Sequence, residues 1–254
     1  MENSNPKISV FIIAFNEEKV IRLCLERLFW ADEIIVVDSG STDATIAICK
    51  QFGAKVIFNQ FIDFGKQKQF ALNQTKNDWV LSLDADEVLS YELINELQNV
   101  DFSRTCNGYL IPRTHVFLSK IFKFGSENKK PILRFFKKSS GNFIQNKVHE
   151  TINVTGKIGV LKNEMLHFTV FDISTAIQKQ TRYSLLSGEF LFEKGKNGSL
   201  VKVIIKFPFE FVRVYFFQRN FMNGYHGFIW SMLAAYGSFI KYAKLYDLHH
   251  NNSL

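Results

Sequence analysis

The sequence has few cysteines and no long apolar run, and both absences narrow the classes of protein to which it can belong. Its three cysteines, Cys24, Cys49 and Cys106, are scattered and form no CxxC pair. An odd, unclustered set indicates free thiols in a reducing compartment rather than a disulfide framework. It also argues against a zinc site made of cysteine thiolates.

The sequence shows neither a signal peptide nor a membrane-spanning helix. Its first residues, MENSNPKISVFIIAFNEE, lack the charged start and the long apolar core of a signal peptide. The most apolar stretch elsewhere, Gly227 to Ile240, is about four residues short of the ~18 that a spanning helix needs. Internal repeats and low-complexity linkers are absent as well. We therefore expect a cytoplasmic, globular protein.

Charge is distributed unevenly along the 254 residues. Residues 1–100 contain 9 Lys and Arg against 15 Asp and Glu, whereas residues 101–254 contain 22 against 9. The net charge is therefore −6 (9 minus 15) in the first part and +13 (22 minus 9) in the second. A basic, aromatic-rich second part predicts an anionic partner, which is a membrane surface, a nucleic acid or a phosphorylated acceptor.

Short apolar segments alternate with helical segments over the first hundred residues. Buried strands are predicted at 8–14, 33–38, 55–58 and 78–84, and helices at 16–30, 45–52, 65–75 and 90–97. Asn16 is the expected N-cap of the first helix, and Gly53 the expected end of the second. This alternation predicts an α/β fold with a mostly parallel, Rossmann-like sheet flanked by helices.

The pattern beyond residue 100 is less regular. Strands are predicted at 108–112 and 132–136, a turn at 156–159 and a helix at 173–192. Residues 202–248 are aromatic, basic and mainly helical in pattern. We therefore expect a helical, aromatic and basic C-terminal extension of the α/β domain.

Carboxylates follow the fourth predicted strand in the segment Asp84-Ala85-Asp86-Glu87. Two carboxylates two residues apart at a strand end are expected to point to the same face. They repel each other unless a cation lies between them. Hard Mg²⁺ or Mn²⁺ prefers such oxygen ligands and keeps phosphate oxygens in its shell. The alternative is a solvated turn with helix-capping acids.

Asp38 ends the second predicted strand and begins the segment DSGSTD. Its carboxylate could accept hydrogen bonds from a base or a ribose hydroxyl, or it could form an Asx turn that joins strand to helix. Ligands of parallel α/β sheets bind beyond the carboxyl ends of the strands. Asn16, Asp38 and Asp84 to Asp86 are all expected at that one edge.

Three segments together resemble the inverting family 2 glycosyltransferases of GT-A fold. They are AFNEE at 14–18, VDSGSTD at 37–43 and LDADE at 83–87, in that family's order and approximate spacing. The resemblance is strong over residues 7–100 and weaker beyond. The whole pattern is most similar to the lipopolysaccharide core-biosynthesis subgroup, whose members are often glucosyltransferases.

The resemblance implies a nucleotide-sugar site, usually for a UDP-sugar, at the carboxyl edge of the sheet. Asp38 matches the acid that contacts the base, and Asp84 the one that contacts the ribose or the metal shell. Lys68 falls near a basic residue that approaches the diphosphate, although the family often has Arg-Asn there. The residues implied in this site are Ala14, Phe15, Asn16, Glu17, Asp38, Lys68, Asp84, Ala85 and Asp86.

The resemblance also implies a Mg²⁺ or Mn²⁺ cofactor whose principal ligand is Asp86. GT-A enzymes often take a late histidine as a further ligand, and His167 fits that place. A satisfied core histidine is the alternative for His167. Apart from the resemblance, Arg134, beside a predicted strand, could meet an acceptor phosphate, and a solvated basic face is the alternative for the basic residues around it.

The implied catalytic base lies in the second half of the chain. Val148-His149-Glu150 resembles the Val-His-Glu motif of the lipopolysaccharide subgroup. Inversion needs a carboxylate that removes the proton of the acceptor hydroxyl, and Glu150 is the expected one. Glu127 and Asp172 are the other candidates. His149 is expected to orient Glu150 or to contact phosphate.

The C-terminal part contains fourteen aromatic residues between Phe207 and Tyr246, with Lys and Arg among them. Such a pattern suits an interfacial helix on an anionic leaflet. The alternative is packing on the catalytic domain or on a partner subunit, so an oligomer stays open. The first interpretation places the protein peripherally on the inner face of the bacterial cytoplasmic membrane.

The leading hypothesis is an inverting, metal-dependent hexosyltransferase that moves a hexose, expected to be glucose, from a UDP-sugar to a lipid-anchored saccharide such as lipopolysaccharide core. The expected domains are 1–200, with a nucleotide-sugar half at 7–100 and an acceptor half at 101–200, and an extension at 201–254. A nucleotidyltransferase would need a Gly-rich loop where Asn16-Glu17-Glu18 stands. A non-catalytic nucleic-acid-binding protein would leave the acidic strand ends unexplained.

Overall fold

The chain forms a ten-stranded sheet, a two-stranded sheet and seven α-helices among the residues described by the computed structural model, which are 6–102, 105–126, 128–144 and 151–251. The strands are β1 (Ile8–Ala14), β2 (Glu33–Asp38), β3 (Lys55–Phe58), β4 (Trp79–Asp84), β5 (Glu87–Leu89), β6 (Cys106–Phe117), β7 (Lys120–Ile121), β8 (Lys130–Lys137), β9 (Gly141–Ile144), β10 (Thr151–Val154), β11 (Lys157–Val160) and β12 (Met165–Val170). The α-helices are α1 (Ile21–Leu25), α2 (Thr45–Gln51), α3 (Phe64–Gln74), α4 (Tyr91–Gln98), α5 (Ile173–Glu193), α6 (Leu200–Val212) and α7 (Tyr225–Asn251). A π-helix spans Arg213–Phe217, and 3₁₀ turns span Lys138–Ser140 and Asn220–Asn223.

The large sheet has the strand order β3-β2-β1-β4-β8-β6-β12-β5, and β7 and β11 also pair with β6. Strands β1 to β4 are mutually parallel, whereas β8 runs antiparallel to both β4 and β6. Strands β9 and β10 form the separate two-stranded sheet. The predicted α/β class, with its Rossmann-like sheet and helical C-terminal part, is confirmed.

Strand β1 is buried on both faces of the sheet, as a central parallel strand must be. Successive side chains of a strand point to opposite faces. Val10 and Ile12 therefore enter one apolar cluster, and Phe11 enters the other, which includes Ala71 and Leu72 of α3. This double burial fixes the carboxyl end of β1, where the loop with Asn16 begins.

Most of the predicted elements are confirmed, and the differences include α1, β11 and several short strands. Helix α1 begins at Ile21 rather than at Asn16, because Asn16 is left-handed with a φ of 54° and so does not cap it. The turn predicted at 156–159 largely coincides with strand β11, since these residues pair with β6. Strands β5 and β12 are not predicted from the sequence, since β5 has only three residues and His167 and Thr169 interrupt the apolar residues of β12.

The chain divides into two compact units, here called the first unit (residues 1–114 and 129–168) and the second unit (residues 115–128 and 169–254). In the second unit α7 packs against α5 and α6. At Gly188 of α5 a Cβ would lie 2.8 Å from the Lys241 carbonyl oxygen, so only glycine permits this close helix contact. Within the described residues no helix combines the length and hydrophobicity that crossing a bilayer demands. The domain division expected at residue 200 stays a prediction.

Candidate functional site

The loops that follow β1 and β2 are joined by hydrogen bonds at the carboxyl edge of the sheet. The Asn16 amide oxygen accepts from the Thr42 N–H (2.8 Å), and the Asn16 N–H donates to the Ser41 hydroxyl (2.9 Å). The Glu17 N–H donates to the Thr45 hydroxyl (2.8 Å). Asn tolerates the left-handed conformation that these bonds require. The two predicted nucleotide-binding segments therefore lie against each other.

A second reciprocal contact between these loops involves Glu18 and Asp43. The Asp43 carboxylate accepts from the Glu18 N–H (3.2 Å), while the Glu18 carboxylate accepts from the Ala44 N–H (3.0 Å). Partial burial raises the pKa of Asp43, but donation by the Thr45 hydroxyl and by the N–H groups of Thr45 and Glu18 outweighs it and lowers that pKa. The charged form of Asp43 thus stabilises the start of α2.

Asp38 is buried at the end of β2, and its carboxylate is held by its own turn. One oxygen accepts from the N–H groups of Gly40 and Ser41, both at 2.8 Å, and the other accepts from the Ser41 hydroxyl. Gly40 has a φ of 100°, which favours glycine. This is the Asx turn considered above as the alternative. Contact between Asp38 and a base stays a prediction.

The remaining residues of the segment after β1 differ in exposure. Ala14 is buried, and its carbonyl oxygen accepts from the Ser39 N–H (3.0 Å), which closes the strand end. Phe15 follows with 56% of its surface exposed. An exposed aromatic ring beside two polar loops is available to a planar ligand such as a base.

Asp84 at the end of β4 is held by two cations from other elements. Its carboxylate lies 2.7 Å from the ammonium of Lys68 and 2.8 Å from the guanidinium of Arg134. Burial raises the pKa of Asp84, but Lys68 first and then Arg134 lower it well below its usual range. Lys68 is itself fully buried on α3. The structure therefore brings together Lys68 and Asp84, two predicted site residues, as an ion pair.

Glu87, which is fully buried, is the residue whose importance the sequence did not reveal. It receives two hydrogen bonds from the Arg134 guanidinium, both at 2.9 Å, and one from the Asp84 N–H (3.1 Å). The Arg113 guanidinium lies 3.5 Å away. The signal that could have found it is Arg134, because an arginine in the apolar run ILRFF needs a buried acid. Arg134 is directed at Glu87 and Asp84, which corrects the expectation that it meets acceptor phosphate.

Asp86 and His167 form a second, separate pair at this edge. The Asp86 carboxylate lies 3.2 Å from Nε2 of His167, and both side chains are 20% exposed. Strand β12 brings His167 there because it pairs antiparallel with β5, opposite Glu87. The chain turns at Ala85 and Asp86, so strand alternation does not apply there. Asp84 and Asp86 thus make their short contacts with different side chains. A cation between the two carboxylates stays a prediction.

The Asp86–His167 pair fits one part of a divalent metal site. It offers a carboxylate oxygen and an imidazole nitrogen side by side, both ligands that Mn²⁺ accepts. No group of three or more His, Cys, Asp or Glu side chains with metal-binding geometry occurs in the described part of the chain. Mg²⁺ and Mn²⁺ commonly use one or two protein ligands together with phosphate oxygens and water. The pair therefore suits a metal that is completed by a phosphate ligand.

The predicted catalytic base, Glu150, and its neighbour His149 lie outside the described residues, as does Glu127. Of the three candidate bases, only Asp172 is described. It caps α5, and its two oxygens accept from the N–H and the hydroxyl of Thr175, both at 2.8 Å. A carboxylate engaged in this way is poorly placed to take a proton.

Comparison with known proteins identifies the family. The family model described as Glycosyl transferase family 2 matches residues 9–160, which is more than half of the chain. The chain belongs to this family. The match includes every residue of the carboxyl edge described above except His167. Glycosyl transfer is therefore favoured over the nucleotidyltransferase and nucleic-acid-binding alternatives.

Relatives extend the family assignment over nearly the whole chain. A protein of Rickettsia typhi named as an uncharacterized glycosyltransferase is 33% identical, over 95% of this chain and 87% of its own length. The lipopolysaccharide core biosynthesis glycosyltransferase LpsC of Rhizobium meliloti is 32% identical, over 95% and 93%. A solved glucosyl-3-phosphoglycerate synthase of Mycobacterium tuberculosis is 26% identical over 44% of each chain, with a TM-score of 0.35.

Proposed function

We propose that this family 2 glycosyltransferase moves a hexose, glucose in the first instance, from a UDP-sugar to a lipid-anchored saccharide of the lipopolysaccharide-core type, with inversion at the anomeric carbon. The observation that carries the proposal is the convergence of the Asn16 loop, the Asp84 cluster and the Asp86–His167 pair at one sheet edge. LpsC, a lipopolysaccharide core enzyme by name, supports the acceptor class. This proposed reaction does not depend on the oligomeric state or on a domain division at residue 200.

The donor site in this proposal uses the carboxyl edge of β1, β2 and β4. The loops at Ala14 to Glu17 and at Asp38 hold the nucleoside, with Phe15 as the exposed ring. Lys68 and Asp84 lie beneath the diphosphate in this proposal. Their mutual ion pair holds both side chains in place. Ala85 is buried, so it sets the position of the turn that presents Asp86.

Asp86 and His167 would hold Mg²⁺ or Mn²⁺. When bound there, the metal neutralises the negative charge that develops on the leaving diphosphate. Asp86 supplies the anionic ligand, and His167 must be neutral to donate its lone pair to a metal. The 3.2 Å approach of the two side chains supports a shared ligand role.

Glu150 is the proposed general base. Its carboxylate takes the proton of the acceptor hydroxyl as the oxygen attacks the anomeric carbon, and the diphosphate departs from the opposite side. General-base catalysis contributes about 10²–10⁴-fold to a rate. Loss of Glu150 should therefore lower kcat by that factor without changing donor affinity.

The experiment that tests this role compares Glu150→Gln, Glu127→Gln and Asp172→Asn in turnover of UDP-glucose with purified lipopolysaccharide core acceptor. We expect Glu150→Gln alone to lose about 10²-fold or more in kcat, while all three variants bind UDP as the wild type does. If Glu127→Gln or Asp172→Asn shows that loss instead, the base is reassigned. If wild-type protein transfers no sugar from any UDP-hexose to any lipid-linked saccharide, the proposed reaction is wrong.

The second unit carries the proposed membrane contact, on α6 and the residues that follow it. A surface helix normally turns charged residues outward, but here the outward side chains are large and apolar. Phe217 is 81% exposed and Ile204 64% exposed. The exposed apolar residues of this surface, called the α6 face, are Leu200, Val201, Ile204, Ile205, Phe209, Val212, Phe216, Phe217, Phe221, Met222 and Tyr225. A patch of this kind marks an interaction surface.

The charges beside the α6 face favour an anionic bilayer as its partner. Residues 200–225 contain four basic residues and one acid, Glu210. Glu210 is bonded to Arg213, whose Nε lies 2.9 Å from its carboxylate. Two copies of so basic a surface would repel each other, whereas anionic headgroups would attract it. We therefore place the protein peripherally on the cytoplasmic face of the bacterial membrane, where a lipid-anchored acceptor is found.

A further inference from the structure

Arg113 lies on β6 in the first unit, beside the buried ion pairs of the donor site. Its guanidinium lies 3.5 Å from the Glu87 carboxylate, and 20% of its side chain is exposed. Hydrogen bonds between a cationic N–H and a carboxylate are commonly about 2.7–2.9 Å long. The contact with Glu87 is therefore loose, and it leaves Arg113 accessible to a further anion.

Glu87 has little capacity left for Arg113, because other donors already occupy its carboxylate. It accepts two hydrogen bonds from the Arg134 guanidinium, both at 2.9 Å, and one from the Asp84 N–H at 3.1 Å. A carboxylate offers only about four lone-pair sites. Arg134 also donates to Asp84 at 2.8 Å, so it is shared by two carboxylates. Glu87 is thus neutralised mainly by Arg134.

At least one donor of Arg113 is unsatisfied among the described residues. A guanidinium carries five N–H groups. Nε of Arg113 is buried and has no hydrogen-bond partner in the part of the chain that the structure describes. Native structures normally satisfy a buried donor with protein, water or a ligand. Arg113 therefore has hydrogen-bonding capacity that Arg134 has already used.

The ion-pair cluster that includes Arg113 carries more positive than negative charge. Its cations are Lys68, Arg113 and Arg134, and its carboxylates are Asp84 and Glu87. Three cations against two carboxylates leave a net charge of +1. An uncompensated charge is costly where little water reaches it, and an anionic ligand group would compensate it. Arg113 is the most exposed of the three cations, so the anion is expected there.

Another cation faces Arg113 across the sheet. Lys130 of β8 is the register partner of Arg113. Directly opposite residues of an antiparallel pair point to the same face, and like charges at such positions are destabilising. An anionic group close to both side chains would reduce this repulsion. A phosphoryl group suits the place, because the planar guanidinium can donate to two of its oxygens at once.

We propose that Arg113 binds a phosphoryl group of a transfer substrate, which is either the donor diphosphate or a phosphate carried by the acceptor saccharide. The assignment rests on the proposed function, because that function supplies the substrate. Arg134 is unavailable for this role, since two carboxylates share its guanidinium. Arg113 would thereby favour a phosphorylated ligand over its neutral counterpart.

Ligand-detected saturation-transfer NMR in the presence of Mg²⁺ tests this with Arg113→Met and two phosphorylated probes. UDP represents the donor, and glucose 6-phosphate, added with saturating UDP, represents an acceptor phosphate. We expect Arg113→Met to weaken one of these probes at least about tenfold, because a charge-assisted hydrogen bond is lost, and to leave the affinity for uridine unchanged. The probe that is weakened identifies the source of the phosphoryl group. Arg22→Met, at an exposed arginine of the first unit, is the matched control and should weaken neither probe.

Unchanged affinity for both phosphorylated probes in Arg113→Met would overturn the assignment and leave Arg113 as a counter-ion of Glu87. Equal weakening of UDP and uridine would overturn it as well, because that result indicates a distorted site. Urea unfolding establishes that the variants fold. If Arg113→Met does not fold, Arg113→Lys replaces it, since lysine keeps the charge but loses the planar fork and should weaken the same probe.

The same samples separate this inference from the donor site. If the wild type binds UDP and neither phosphorylated probe responds to Arg113→Met, the donor site stands and the role of Arg113 is removed. If the wild type binds no UDP but loses glucose 6-phosphate through Arg113→Met, the donor site is removed and the phosphoryl contact stands.

Discussion

Nε2 of His167 lies 3.2 Å from Oδ2 of Asp86, although 81 residues separate them in the chain. The contact depends on the antiparallel pairing of β12 with β5, which sets His167 opposite Glu87. Both side chains are accessible to a ligand, because 20% of the surface of each is exposed to solvent. The pair is thus preformed at the sheet edge that the family match includes.

Replacement of His167 by Ala should weaken Mn²⁺-supported UDP binding. Loss of a residue that merely orients a metal ligand costs about 10–100-fold in metal affinity, so loss of a ligand should cost at least that. Calorimetric titration of UDP at fixed Mn²⁺ measures the effect. His226→Ala, in the second unit, is the control. Equal UDP affinity in both variants would make His167 a structural partner of Asp86 only.

Replacement of Lys68 by Met should destabilise the first unit. Asp84 would keep Arg134 but lose an ammonium at 2.7 Å, and breaking a buried ion pair costs about 3–5 kcal/mol. Asp84 is 29% exposed, so the lower end, about 3 kcal/mol, is expected in the free energy of unfolding by urea. Lys66→Met on the same helix is the matched control, because Lys66 is exposed and its pair with Asp63 is worth at most about 1 kcal/mol. If both variants are equally stable, Lys68 is not a structural cation.

Stability in acid should depend on Asp43. Its pKa is lowered in the folded protein, so the unfolded chain binds a proton more readily. The stabilisation by Asp43 is therefore complete above the unfolded pKa, about 3.9, and is lost as the pH falls below it. We expect the free energy of unfolding to decrease less steeply between about pH 5 and 2 in Asp43→Asn than in the wild type. A slope as steep as in the exposed control Glu26→Gln would contradict this.

Binding to anionic vesicles should depend on the α6 face. Phe209→Asp with Phe217→Asp places two charges on exposed apolar positions, so the double variant should sediment far less with phosphatidylglycerol vesicles than the wild type. Phe29→Asp with Phe58→Asp is the matched control, since both residues are also exposed and lie in the first unit. If both double variants lose vesicle binding equally, the α6 face is not a specific lipid-binding surface. Unchanged sedimentation with a concentration-dependent dimer would indicate a second copy as the partner.

The sequence predicts the parallel half of the sheet well, because its strands are continuously apolar and bounded by polar turns. The positions of Asp38 and Asp84 follow directly from those strand ends. It leaves open whether Asp38 caps its own turn or contacts a ligand, and it does not predict that Asp84 is held by Lys68 and Arg134. Those contacts join residues up to 50 apart, and local pattern carries no information about them.

The antiparallel half is harder to predict for a physical reason. Strands β5 and β12 are short, and their pairing is what joins Asp86 to His167. Glu87 offers another case, since a glutamate beside an Asp-Ala-Asp turn suggests a solvated acid, whereas it is fully buried. Arg134, the buried cation in the run ILRFF, is the local signal that a buried acid exists. Only the packing of β8 determines that this acid is Glu87.

The most direct test of the central claim is calorimetric titration of UDP into wild-type protein and Asp86→Ala, with Mn²⁺ and with EDTA. The proposed donor site predicts UDP binding by the wild type with Mn²⁺ that is lost or severely weakened by EDTA or by the substitution. Folded wild-type protein that binds no nucleotide in the presence of Mn²⁺ would contradict the donor site.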